Sequence, residues 1–152
     1  MEQTGPVIGS LRQFVTAIDH VGIAVPDLDA AIEFYRETFG FEVTHQEVNE
    51  DQGVREAMVR APGDTGAVMQ LLAPLTPDST IGKFIAKSGP GLQQLAYRVT
   101  DVDEASEALR SMGLRLIFPE ARRGTANSRV NFVHPKDTGG VLIELVEPAR
   151  HH

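Results

Sequence analysis

Alternation of apolar and polar positions marks the first element. Residues 17–25 alternate and end at a Pro-Asp turn, which predicts a strand. Asp27 or Asp29 then offers a cap for a helix whose apolar stripe is Leu28, Ala31, Ile32, Tyr35 and Phe39, with Gly40 as its stop. Three strand-like runs follow, near 41–48, 55–61 and 67–73. The same order recurs later in the chain. A strand at 91–99 leads into a helix carrying Val102, Ala105, Leu109 and Met112 with Gly113 as its stop, and strands follow near 114–118, 129–134 and 140–147.

The recurrence has a fixed offset of 74 residues. Val25, Asp27 and Asp29 return as Val99, Asp101 and Asp103, while Leu71 and Pro74 return as Leu145 and Pro148. The chain is therefore predicted to be α+β, built from two tandem βαβββ modules at 17–73 and 91–148. Residues 74–90 link them and hold the short amphipathic piece Ile81-Gly82-Lys83-Phe84-Ile85. Residues 1–16 read as an N-terminal extension available for dimer contacts, and His151-His152 as the stub of a purification tag.

The strand period selects candidate chemistry. Val21, Ile23 and Val25 face the helix, so His20, Gly22 and Ala24 take the other face. In the matching strand that second face carries Gln94, Ala96 and Arg98. Gln70 and Glu144 are likewise 74 residues apart, each inside an apolar run where a lone polar side chain is costly. The repeat thus yields two equivalent pairs, His20 with Gln94 and Gln70 with Glu144. If the modules bend into one cleft, all four converge there, with the small Gly22 and Ala96 leaving room beside them.

Composition narrows the function. The chain of 152 residues is 41% hydrophobic and 23% charged, which is ordinary for a globular protein. A net charge of −7 argues against nucleic acid, and no apolar run reaches the length of a membrane span. With no cysteine, neither a disulfide framework nor a thiolate metal site is available, and a reducing cytoplasmic setting is expected.

Several stretches carry a family resemblance: Ile18-Asp19-His20-Val21, the run Asn49 to Glu56, Gln70-Leu71-Leu72-Ala73-Pro74, Asp78-Ser79-Thr80, the run Arg129 to Lys136, and Val141-Leu142-Ile143-Glu144-Leu145. Over residues 17 to 147 the chain resembles the vicinal-oxygen-chelate (glyoxalase-like) superfamily, and within it the methylmalonyl-CoA epimerase family. The resemblance implies a cleft holding one divalent metal ion (Co, Mn, Mg or Zn), with His20, Gln70, Gln94 and Glu144 at the ligand positions. It implies Glu56 and Glu144 as two carboxylate bases, an acyl-CoA substrate and a homodimer. The family has a His-His pair where this chain has Gln93-Gln94. An amide oxygen is a weaker ligand than imidazole for late transition metals, so the replacement favours a harder ion or a weaker site.

Chemistry asks for such a set. Epimerisation alpha to a thioester takes a proton from one face and returns one to the other, which suits two bases and a positive centre at the enolate oxygen. Arg122, Arg123, Arg129 and Lys136 read first as solvated charge; Arg129 and Lys136 are candidate contacts for coenzyme A phosphates. His134, just before Pro135, reads as a turn-stabilising residue. Two other functions fit the same residues: an enzyme with an altered or lost metal site acting on another acyl thioester or natural-product intermediate, and a non-catalytic small-molecule binder. Retention of Glu56 and Glu144 argues against the binder. The incomplete two-His-one-carboxylate set argues against an iron dioxygenase.

Overall fold

A computed structural model describes residues 14–150; the tag-like histidines and all but the last three residues of the expected extension lie outside the described residues. The elements are β1 (Val15–Ala24), α1 (Leu28–Phe39), β2 (Glu42–Asn49), β3 (Val54–Arg60), β4 (Val68–Pro74), α2 (Thr80–Ser88), β5 (Gly91–Val99), α3 (Val102–Ser111), β6 (Arg122–Arg123), β7 (Arg129–Val133) and β8 (Ile143–Glu147). They fall into two compact units, Asp19–Ala96 and the remainder. The segment 74–90 therefore belongs to the first unit, and the opening residues of β1 belong to the second.

In the Asp19–Ala96 unit the strand order is β2-β3-β4-β1-β5. β1 runs parallel to β4, with Gly22 opposite Gln70, and β3 runs antiparallel to both β2 and β4. Asp27 starts α1 by accepting the Ala30 N–H, and Gly40 ends it in the left-handed region at φ 74°. The helix lays Leu28 and Ile32 on Ala57, Val59 and Leu71, with Ile23 packed alongside. This is the helix-facing side that the strand period predicts. Phe39 departs from the stripe: it is 58% exposed and instead stacks with Tyr35 at the helix end.

The opposite side of the same sheet has its own apolar cluster, Ala24, Val54, Leu72 and Ile81. Ile81 comes from α2, a helix within the segment read as a linker. Ser79 caps it by accepting the Gly82 N–H, and Phe84 and Ile85 complete the contact. Gly82 is needed where it stands, because a Cβ there would lie 2.5 Å from the Pro77 carbonyl oxygen.

The second unit contains the order β8-β7-β6, both pairings antiparallel. α3 is capped by Asp101 and packs Val102, Ala105 and Leu109 on Val99, Val133 and Leu145. Met112, expected in this stripe, is 54% exposed. The strand expected near 114–118 does not form as an element; it is reduced to a bridge between Leu116 and Val133. The ladder begins, with Ile117 N–H donating to Phe132 O and His134 N–H to Arg115 O. It then stops because the Asn131 side chain takes over, accepting from Phe118 N–H at 3.1 Å and donating to Phe118 O at 3.0 Å. Pro119 next in line has no N–H to extend the pairing. The partner of β7 beyond this point is the short β6.

Candidate active site

On the face of the first unit turned away from α1, four predicted residues meet. His20 is 2% exposed, Glu56 2% and Gln70 3%, while Gln94 is partly buried. Their positions follow from register. Gly22 pairs with Gln70, and Glu56 pairs with Leu72, so His20, Gln70 and Glu56 lie on three adjacent strands of one face. Gln94 reaches them from β5. A polar quartet at such burial is tolerated only when its atoms satisfy one another.

The contacts form a chain. Asp19 Oδ2 lies 2.8 Å from His20 Nδ1. A carboxylate accepts, so Nδ1 carries the proton at this contact. Gln94 Nε2 lies 3.5 Å from His20 Nε2 and 3.4 Å from Gln70 Oε1. Gln70 turns its own amide N–H to Glu56 Oε1. Asp19, His20, Gln94, Gln70 and Glu56 are thereby one hydrogen-bonded series. Asp19 was not singled out by the strand pattern, because its period points it away from His20. The adjacent carboxylate beside a candidate ligand histidine was the available signal.

Space at this site is set by Gly22. A Cβ there would lie 2.5 Å from Gln94 Cγ, 3.0 Å from Gln94 Cδ and 3.2 Å from Leu72 Cδ1. The room that the sequence assigns to Gly22 is thus occupied by the Gln94 side chain. An open groove of about 360 Å³ elsewhere in this unit runs between Pro26, Pro74, Pro77 and Ile85, and none of the quartet lines it.

Glu144 lies in the second unit. It sits on β8 opposite Phe132, is 6% exposed, and faces away from the α3 side held by Ile143 and Leu145. Gln70 occupies the corresponding position in its own unit, as the repeat predicts.

Of the candidate phosphate contacts, Arg129 is engaged elsewhere. Arg129 donates to Asp103 through two nitrogens at 2.9 and 3.1 Å and lies 3.6 Å from Glu147. The hydrogen bonds to Asp103 raise its pKa further. Glu147 also accepts the Val102 N–H at 2.9 Å, so Arg129 is tied to the start of α3. Lys136 is exposed on a single 3-10 turn, Pro135–Asp137. His134 accepts the Lys136 N–H at 3.2 Å, a turn-stabilising contact. Arg122 lies over the Phe118 ring, 4.3 Å from its centroid.

Whether the site suits a metal ion turns on its donors. Among the described residues no group of three His, Cys, Asp or Glu side chains is close enough to hold one. The Gln94 amide nitrogen lies 3.5 Å from His20 Nε2 and 3.4 Å from Gln70 Oε1. Turning that amide over would bring an oxygen to the same point and make a set of one nitrogen and two oxygens. The donors fit a hard divalent ion in that second orientation.

Comparison with known proteins defines the class. A sequence model of the Glyoxalase/Bleomycin resistance protein/Dioxygenase superfamily matches residues 19–132, and the chain belongs to that superfamily. Within it, the chain groups with the methylmalonyl-CoA epimerases. It is 37% identical over 130 residues to the ethylmalonyl-CoA/methylmalonyl-CoA epimerase of Cereibacter sphaeroides, covering 84% of this chain and 95% of that one. The crystal structure of methylmalonyl-CoA epimerase from Mycobacterium tuberculosis is 59% identical with a TM-score of 0.87, covering 91% of this chain and 92% of that one. A Streptomyces coelicolor methylmalonyl-CoA epimerase variant in complex with 2-nitronate-propionyl-CoA is 49% identical with a TM-score of 0.85, covering 90% and 99%. The family and the α+β glyoxalase fold read from the sequence are borne out. Among the described residues no helix is long and apolar enough to cross a membrane.

Proposed function

We propose that this chain is an isomerase that interconverts the (R) and (S) forms of methylmalonyl-CoA or a related 2-substituted malonyl-CoA. The observation that carries the reading is the buried Glu56 carboxylate held by the Gln70 amide in a site whose other members are His20 and Gln94. A carboxylate in such surroundings is oriented for proton transfer at a fixed point. The named activities of the relatives above supply the reaction and the acyl-CoA substrate.

By the family resemblance, Glu56 and Glu144 are the two bases: one takes the alpha proton, the other returns one on the opposite face, and in the reverse direction they exchange tasks. Gln70 fixes Glu56 Oε1 through its N–H, which leaves the carboxylate in one orientation. Burial excludes competing water from the proton. By the family resemblance, His20, Gln70, Gln94 and Glu144 are the positions that would hold a divalent ion. When bound, such an ion supplies positive charge at the developing enolate oxygen. A homodimer rests on the family resemblance, and a cytoplasmic setting on the expectation from a chain without cysteine.

The second reading, an altered site acting on another acyl thioester, is favoured by one observation: the nitrogen of Gln94 faces the ligand atoms. The discriminating experiment follows interconversion of one methylmalonyl-CoA stereoisomer, without and with added Mg²⁺, Mn²⁺ or Co²⁺. Turnover that falls by about two to four orders of magnitude in Glu56→Gln supports the epimerase. No turnover with any ion, but turnover in Gln94→His, supports the altered site.

A further inference from the structure

We propose that Leu72 seats the alkyl substituent on the reacting carbon, and that α2 behind it sets the size of that substituent at methyl. The inference rests on the reading of Glu56 as a base acting on a 2-substituted malonyl-CoA, and it names the substituent. Its basis is the order of side chains across one face of the sheet. The register sets Glu56 beside Leu72 and Leu72 beside Ala24. Two residues along the strands it sets Met58 beside Gln70 and Gln70 beside Gly22. Residues directly opposite on antiparallel strands share a face, with Cβ atoms about 4.5–5.5 Å apart, so Leu72 is an immediate neighbour of Glu56. Leu72 Cδ1 also lies 3.2 Å from where a Gly22 Cβ would stand, so the same side chain borders the space beside Gly22. Leu72 is itself buried, and Ala24, Val54 and Ile81 close around it with Phe84 and Ile85 of α2. The face thus passes from the polar side chains of His20 and Gln70 to a closed apolar wall, and Glu56 stands where the two meet.

The substrate has matching ends. Once the alpha proton has left, the reacting carbon is trigonal, and its carboxylate, thioester carbonyl and alkyl group point to three corners of one plane. The two oxygen-bearing groups belong with the polar side chains, because burial against Leu72 would leave them unsatisfied. The alkyl group then points away from His20 and Gln70, toward Leu72. Met58 is the other apolar residue close to Glu56 on this face, but it stands beside Gln70, at the polar end. Ala24, Val54 and Ile81 are each no more than 4% exposed, so the wall behind Leu72 is packed and cannot retreat freely. A methyl group rests against this wall, whereas an ethyl group needs Leu72 displaced. One methylene in such a pocket discriminates by about 10- to 200-fold.

The test follows deuterium entry at the alpha carbon of methylmalonyl-CoA and ethylmalonyl-CoA mixed in one heavy-water reaction, with Mg²⁺, Mn²⁺ or Co²⁺ added in turn. It compares the full chain with Leu72→Ala and Leu72→Val, and thermal unfolding verifies that each is folded. Leu72→Val removes a single methylene and carries the test if Leu72→Ala does not fold. Competition reads the ratio of the two kcat/KM values, which a general structural defect, lowering both alike, leaves unmoved. The wild type should favour methylmalonyl-CoA by at least about tenfold. Leu72→Ala should bring the ratio to near parity, and Leu72→Val should narrow it by a smaller factor. A wild type that processes both acyl-CoAs alike, or a ratio unmoved in the folded variants, overturns the role of Leu72 and leaves Glu56 as a base. Absence of exchange with either acyl-CoA in the wild type overturns the reading of the site and the inference together.

Discussion

Replacing Gly22 by alanine isolates the packing on which the site depends. The new Cβ would lie 2.5 Å from Gln94 Cγ and 3.0 Å from Gln94 Cδ. Carbon atoms pack comfortably at about 3.5–4.0 Å, so Gln94 must move by roughly 1 Å or change rotamer. Overpacking of this kind costs about 1–3 kcal/mol. Displacing Gln94 also forfeits its long contacts to His20 and Gln70, together worth about 1 kcal/mol. Against this, alanine in a strand gains about 0.5–1 kcal/mol over glycine. The net loss is about 1–3 kcal/mol, or a fall of about 2–12 °C in Tm at roughly 2–4 °C per kcal/mol for a chain of this size. A double-mutant cycle with Gln94→Ala separates the cause. Without Gln94 Cγ, the new methyl meets only Leu72 Cδ1, at 3.2 Å, the end of a side chain that can give way. Gly22→Ala should then be nearly neutral, giving a coupling of about 1–3 kcal/mol by chemical denaturation. An equal penalty in both backgrounds would refute the claim that Gln94 fills the Gly22 space.

Two further predictions concern the frame around the site. Gly82→Ala sets a Cβ 2.5 and 2.7 Å from the backbone oxygens of Pro77 and Thr76, which cannot rotate aside, so it should destabilise by about 2–3 kcal/mol and loosen α2; an unchanged denaturation midpoint would contradict it. Asp137 accepts from Arg115 backbone and side chain, and those bonds lower its pKa from 3.8 to about 2. A carboxyl depressed in the folded state adds stability above its unfolded pKa and loses it as pH falls through the folded value. Asp137→Asn should therefore lower Tm at pH 7, with the difference shrinking between about pH 4 and 2. A difference that grows toward acid would reverse the sign of the argument.

The sequence carries the site more fully than it carries the ladder around it. His20, Gln70, Gln94 and Glu144 stand out because a period of two and a repeat of 74 residues put polar groups where apolar neighbours demand a reason. Glu56 needed the family resemblance, since a single glutamate on a strand has no such signature. Two local features were hidden. The strand near 114–118 is cut short by the side chain of Asn131, a residue distant in sequence that competes for the Phe118 backbone. The helix at Thr80–Ser88 is short, and its support comes from burial of Ile81 against β-strand residues rather than from its own propensity. Which end of an amide faces a ligand cannot be written in a sequence at all.

The central claim is that Glu56 is one of two bases acting on an acyl-CoA. Its most direct test incubates (R)- and (S)-methylmalonyl-CoA separately in heavy water with wild type, Glu56→Gln and Glu144→Gln, and follows deuterium entry at the alpha carbon. Wild type should wash deuterium into both stereoisomers. Each variant should lose interconversion, and any residual exchange should be confined to one isomer, opposite for the two variants. Undiminished exchange of both isomers by Glu56→Gln would contradict the account.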